Sequence, residues 1–218
     1  MIKAVIYDMD GLFADSEGLH TVAWDEFLER FGHKITDIPD EIRRGFTGIR
    51  IIDGMVQIKE ILNLGDNLED LYKERERVWI KIVREKLQPM PGAMESLELF
   101  RKNGLKTAIT SSGSKEYIQT VLDKFYLRKY FDVVVTGDDV KKGKPDPEPY
   151  MVTCQKLGLK PEECLVLEDA ERGVASAKNA GCKCVAIQNP RTPSQDFSQA
   201  DLVLDSLEDI NMQILKSL

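Results

Sequence analysis

The chain is poor in histidine. Only His20 and His33 occur in 218 residues. That excludes a histidine-rich zinc site, and it leaves a Ser/His/Asp triad with two candidate bases, neither near a G-x-S-x-G elbow. Cysteine is also sparse: Cys154, Cys164, Cys182 and Cys184. In a chain of this length without export signals they read as reduced thiols, with Cys182 and Cys184 on one face of a strand. No apolar run approaches the roughly 20 residues that a membrane helix needs. The first residues lack the basic-then-apolar layout of a signal peptide. Basic charge is not in excess either, since 30 Lys and Arg against 37 Asp and Glu leave a net charge of −7. A nucleic-acid binder normally shows a basic face. The expectation is a cytoplasmic protein with no nucleic-acid and no membrane partner.

What remains is an ordinary soluble composition, 42% hydrophobic and 31% charged, in a chain long enough for one large domain or two modest ones. Short β-rich runs alternate with amphipathic stretches. The strand candidates are KAVIYD (3–8), LKTAITS (105–111), FDVVVTG (131–137), CLVLED (164–169), KCVAIQ (183–188) and ADLVLD (200–205). Helical patterns lie between them at 93–104, entered through Pro91-Gly92 and closed by Gly104, and at 115–125. Near-continuous apolar strands alternating with helices predict an α/β fold with a parallel sheet covered on both faces.

One interval breaks the rhythm. From about Asp15 to Leu87 the pattern is helical only, at 17–31, 50–62 and 68–87. This predicts an inserted all-helical cap domain at 15–87 between two pieces of a Rossmann-like core, 1–14 and 88–218. The charged run YKERERVWIKIVREK (72–86) reads as a solvated helix face.

In an open parallel sheet, ligands bind at the carboxyl ends of the strands. Asp8 and Asp10 follow the first strand, Thr110, Ser111 and Ser112 the second, and Glu168 and Asp169 the fourth, while Lys144 lies in the loop leading toward the fourth. Each has a bland explanation alone; gathered on one edge they suggest phosphoryl transfer. Asp8 would attack phosphorus as a carboxylate nucleophile. Asp10 would protonate the leaving oxygen and then activate water. Two carboxylates repel a phosphate dianion, so a cation is required, and Mg²⁺ suits oxygen ligands. Asp8, Asp169 and the Asp10 backbone carbonyl would hold it, with Glu168 binding through water or orienting the others. Lys144 would offset the phosphate charge, in a loop stiffened by Pro145 and Pro147. Ser111 and the amides of Ser112, Gly113 and Ser114 precede a helix and would bind phosphate at its N-terminus. Ser112 or Ser114 can equally be an N-cap.

The motifs DMDGLFADS, ITSSGS, GKPDPEPY and LVLEDAERGVASAKNAG resemble, in order and along essentially the whole chain, the haloacid dehalogenase superfamily. The likeness is to the branch holding β-phosphoglucomutase and sugar-phosphate phosphatases. It implies a Rossmann-like core with a helical cap, Asp8 as nucleophile, Asp10 as acid/base, Ser111 and Lys144 on phosphate, and Asp169 with Asp8 on Mg²⁺. Which of Thr110, Ser111 and Ser112 takes the serine-motif role stays open. Asp10 separates phosphate-ester enzymes from the dehalogenases, which lack it. DSEGLHTVAW and TGIR resemble the β-phosphoglucomutase pattern, which implies His20 near the acid/base and Arg50 on a remote substrate phosphate. The expected activity is a Mg²⁺-dependent phosphatase of small phosphorylated metabolites, a monomer acting on a small-molecule phosphate ester. A β-phosphoglucomutase interconverting glucose 1-phosphate and glucose 6-phosphate is the alternative. A non-catalytic protein binding phosphorylated metabolites is more remote, since it would be expected to have lost a motif residue.

Overall fold

A computed structural model describes all residues, 1–218. Six strands form one parallel sheet in the order β3-β2-β1-β4-β5-β6. They are β1 (Ala4–Tyr7), β2 (Lys106–Thr110), β3 (Val133–Val135), β4 (Cys164–Glu168), β5 (Lys183–Ile187) and β6 (Leu202–Leu204). All six fall inside the runs expected from the sequence. Tyr7 sits level with Ile109 of β2 and Leu167 of β4, so the carboxyl ends of the three central strands open on one edge.

Alternation along the strands sends side chains to opposite faces. Val5, Tyr7, Ile109, Leu165, Leu167 and Val185 join one core with α5 (Ala93–Lys102) and α6 (Lys115–Lys124). Ala4, Ile6, Ala108, Val166, Cys184 and Ala186 join the other with α7 (Glu148–Leu157) and α8 (Glu171–Asn179). A fully buried Val, Leu, Ile or Phe contributes about 1.5–3 kcal/mol, so these two faces hold the sheet. The four cysteines are buried and unbridged, Cys154 Sγ lying 3.7 Å from Cys182 Sγ.

Between β1 and α5 there are only helices: α1 (Glu17–Leu28), α2 (Asp40–Arg44), α3 (Ile51–Ile61) and α4 (Leu68–Lys86). The sequence pattern missed α2, a helix of five residues, too short to show periodicity. A third cluster, including Trp24, Phe27, Met55, Ile58 and Leu71, lies wholly within this stretch, between residues 24 and 71. The two chain crossings run side by side: Asp15 N donates to Gln88 O at 2.9 Å and Met90 N to Phe13 O at 2.9 Å. The helical part also rests on the sheet part, because Trp79, Ile80 and Val83 of α4 enter the core that contains α6.

Candidate active site

The sheet ladder places Asp8. Its amide continues the ladder past β1, donating to Leu167 O at 3.1 Å, so its carboxylate stands at the open edge. Lys144, 5% exposed, brings its Nζ to 2.5 Å from Asp8 Oδ1 and 2.5 Å from Glu168 Oε1. It also donates to Thr110 O at 3.3 Å. Tyr150 of α7 donates its phenol to the same Glu168 oxygen. Asn189 Nδ2 bonds Gly11 O at 2.9 Å and Asp169 Oδ2 at 3.2 Å. Two glycines make room for this packing. A Cβ on Gly11, whose φ is +78°, would stand 2.1 Å from Asp169 Oδ2, and one on Gly173 would stand 2.0 Å from the Glu168 carboxyl.

Charge follows from this crowding. Burial pushes the Asp8 carboxyl well above its usual range, Lys144 opposing and Glu168 and Asp10 adding to the rise. Burial and the charges of Asp8 and Glu168 do the same to Asp169. Burial works against the Lys144 ammonium, but Asp8 and Glu168 outweigh it and hold it charged. Asp8, Glu168 and Asp169 each offer one oxygen, all within 4.8 Å of one another. Three hard oxygen donors with one lysine between them fit Mg²⁺, which takes carboxylates and waters.

The structure gives Lys144→Ala a clear expected outcome. Without the ammonium, three buried carboxylates face one another, and about 3–5 kcal/mol of stability is lost at neutral pH in EDTA. The sign with pH is fixed by the raised carboxyls. Asp8 and Asp169 bind protons more tightly folded than unfolded, so the stability of the variant falls as pH rises through that range and recovers on acidification. Denaturant titrations of both proteins between about pH 5 and 8 check this. A loss independent of pH would make Lys144 a packing residue only.

Asp10 has different surroundings. It accepts from Tyr117 Oη at 2.7 Å, Ser111 Oγ at 3.4 Å and His20 Nε2 at 3.4 Å. Burial raises its carboxyl, yet the hydrogen bonds of His20, Tyr117 and Ser16 prevail and lower it. Ser111 is thus the member of the serine motif beside Asp10. Thr110 turns its hydroxyl to Thr153 at 2.6 Å, and Ser112 donates to Gly48 O at 3.0 Å. Ser111 Oγ accepts from Gly113 N at 2.9 Å, and Ser114 caps α6 by accepting from Tyr117 N at 3.1 Å.

On the helical side, His20 lies flat on Trp79, ring centroids 4.0 Å apart. Arg75 Nη2 lies 2.8 Å from His20 Nδ1; a guanidinium only donates, so Nδ1 accepts and Nε2 carries the hydrogen toward Asp10. Arg50 lines the cavity above the carboxylates, but its guanidinium is held two-fold by Asp53 at 2.9 and 3.0 Å. The expectation of a solvated face for residues 72–86 fails at its middle. Arg75 is fully buried and Glu76 is 7% exposed, because the helix turns them inward with Leu71, Trp79 and Val83. Burial lowers Arg75 to about 10, which leaves it charged near neutrality. Arg75, Glu76, Trp79, Tyr117, Tyr150 and Asn189 are the site neighbours that sequence reasoning missed. The signal for the α4 group was the four-residue spacing Leu71, Arg75, Trp79, Val83.

The sequence model of the haloacid dehalogenase-like hydrolases matches residues 5–187. A phosphorylated carbohydrates phosphatase of Thermotoga maritima is 35% identical over 184 residues, 83% of this chain and 82% of the relative. Hexitol phosphatase A of Escherichia coli is 32% identical over 96% of this chain and 94% of its own. The crystal structure of CbbY from Rhodobacter sphaeroides in complex with phosphate shares the fold, with a TM-score of 0.85, 24% identity and 96% of each chain covered. No helix is long and apolar enough to cross a membrane. With a family match spanning most of the sheet and all of the helical insert, the chain belongs to the haloacid dehalogenase-like hydrolases.

Proposed function

We propose that this phosphoric monoester hydrolase is a Mg²⁺-dependent phosphatase of small phosphorylated carbohydrates, working through an aspartyl-phosphate on Asp8. One observation carries the reading: the Asp8 carboxylate at the end of β1 lies against Lys144, with Asp10 alongside among three hydrogen-bond donors. The phosphatase names of the relatives from Thermotoga maritima and Escherichia coli agree with it.

Asp8, Asp169, Glu168 and the Asp10 carbonyl would hold Mg²⁺. When bound, the ion supplies the positive charge that lets an anionic carboxylate meet an anionic phosphate. The rest is done by the chain. Lys144 binds the phosphoryl group electrostatically while holding Asp8 in place. Ser111 and the N-terminus of α6 take further phosphate oxygens. The Asp8 carboxylate attacks phosphorus, the ester P–O bond breaks, and Asp10 delivers a proton to the departing oxygen. Asp10 then takes a proton from water as that water attacks phosphorus, and the P–O bond to Asp8 breaks. Residues 15–87 act as a cap over a core of 1–14 and 88–218, with the paired crossings at Phe13–Asp15 and Gln88–Met90 as the hinge. His20, backed by Arg75, meets Asp10 from the cap side.

Phosphate release across sugar, polyol and nucleotide phosphates, with Mg²⁺ and with EDTA, tests the reading. Sugar and polyol phosphates are expected to release phosphate with Mg²⁺ and to lose nearly all turnover in EDTA. Isomerisation of β-glucose 1-phosphate with little free phosphate would make the chain a mutase. Release from no substrate would make it a binding protein.

A further inference from the structure

Of the three carboxylates gathered at the sheet edge, Asp169 has the fewest hydrogen-bond donors. Lys144 bridges Asp8 and Glu168, and Tyr150 also donates to Glu168. Ala170 N reaches the other Glu168 oxygen at 3.4 Å. Asp169, 1% exposed, accepts from one donor only, Asn189 Nδ2, at 3.2 Å on Oδ2. Asn189 is itself buried and has no part in the mechanism above.

A short turn brings this amide to the site. β5 runs beside β4 with Ala186 level with Glu168, so Asn189, two residues past the end of β5, reaches the same edge as Asp169. There the chain turns through Asn189-Pro190-Arg191-Thr192. Asn189 Oδ1 accepts from Arg191 N at 2.9 Å, and Asn189 O from Thr192 N at 3.0 Å, a turn closed by the asparagine side chain. With Oδ1 engaged by an N–H, the amide NH₂ faces the site, where both neighbours are acceptors. Its two hydrogens go to Gly11 O at 2.9 Å and to Asp169 Oδ2.

The donor's neutrality matters as much as its place. A lysine or arginine here would also hold Asp169, but it would repel a divalent cation on the same carboxylate. The one ammonium of the cluster sits on Asp8 and Glu168 instead. We infer, on the Mg²⁺-dependent reading above, that Asn189 is a positioning residue for the cation. It holds Asp169 by Oδ2, leaves Oδ1 free to ligate, and fixes Gly11, the residue that follows the Asp10 carbonyl. Hydrogen-bonded neighbours of this kind orient metal ligands, and their loss weakens metal binding about 10–100-fold.

Asn189→Ala removes both bonds, and Asn189→Leu does so while keeping the bulk of the side chain. Melting curves in EDTA and in rising Mg²⁺ give the Mg²⁺ dissociation constant of the free protein from the shift in Tm. Both variants are expected to fold in EDTA and to bind Mg²⁺ about 10–100-fold more weakly than the wild type. Phosphate release from nitrophenyl phosphate should need correspondingly more Mg²⁺, with KM at saturating Mg²⁺ within about threefold of the wild type. Arg191→Gln is the control. It breaks the two-fold pair with Asp15 at 2.9 and 3.1 Å but leaves the Asn189 amide in place, so Mg²⁺ affinity should stay within about twofold. Unchanged Mg²⁺ affinity in either folded Asn189 variant, an equal loss in Arg191→Gln, a KM that rises as far as the Mg²⁺ constant, or unfolding of both Asn189 variants in EDTA would each make Asn189 a structural residue only. The phosphatase reading would then still stand. No Mg²⁺-dependent shift in the wild type would overturn the Mg²⁺ reading as well.

Discussion

Asp8→Asn is expected to abolish turnover, by a factor on the order of 10⁴ or more, as removal of a covalent nucleophile does elsewhere. The fold should survive. The amide matches the carboxylate in shape, and the backbone bond from residue 8 to Leu167 O does not depend on the side chain. Lys144 keeps Glu168 as its partner. The substitution also removes one of three crowded carboxylates, and the buried Asp8 carboxylate is disfavoured in the fold. In EDTA the variant should therefore be no less stable than the wild type at neutral pH, whereas Mg²⁺ should stabilise it less. Phosphate release and thermal melts with and without Mg²⁺ check both halves. Near-wild-type release from a folded Asp8→Asn protein would place the nucleophile elsewhere.

The sheet was legible because its strands are buried on both faces and carry almost unbroken apolar runs, so VAIQ or LVLED needs no context. The carboxylates, Ser111 and Lys144 were legible for a related reason: polar groups at the ends of apolar strands stand out, and chain order says which edge they share. On the cap side His20 was legible beside Asp10, but the residues behind it were not. Arg75 and Glu76 sit in a run of alternating charges, and composition alone puts such a run in water. What buries them is the arrival of α1 and α6 against α4, bringing Trp24 over the Arg75 guanidinium at 4.7 Å from its ring centroid and Ser114 onto Glu76. Tyr117 is similar. Its position three residues after the Ser114 cap looked like ordinary helix, and only the close approach of Gly113, where a Cβ would stand 2.5 Å from the Tyr117 ring, lets the phenol reach Asp10.

Asp10→Ala separates the two halves of the reaction. In the free protein the Asp10 carboxyl is held below its usual range despite burial, chiefly by His20 and Tyr117. That suits the base that activates water, but an acid must first hold a proton. A phosphate dianion bound beside it supplies the difference, because a neighbouring negative charge raises a carboxyl. Loss of the acid should then cost about 10²–10⁴-fold for a sugar phosphate, whose alkoxide leaves poorly without a proton. Nitrophenyl phosphate needs no such help, so its first turnover should release nitrophenol at close to the wild-type rate. Later turnovers should be slow for both substrates, since each must hydrolyse the same aspartyl-phosphate without a base. Rapid-mixing measurements of nitrophenol release, set beside steady-state phosphate release, resolve the two steps. Equal first-turnover losses for aryl and sugar esters would remove Asp10 from the acid role. A wild-type steady state would remove it from the base role as well, leaving Tyr117 and His20 gripping a carboxylate that only positions the loop.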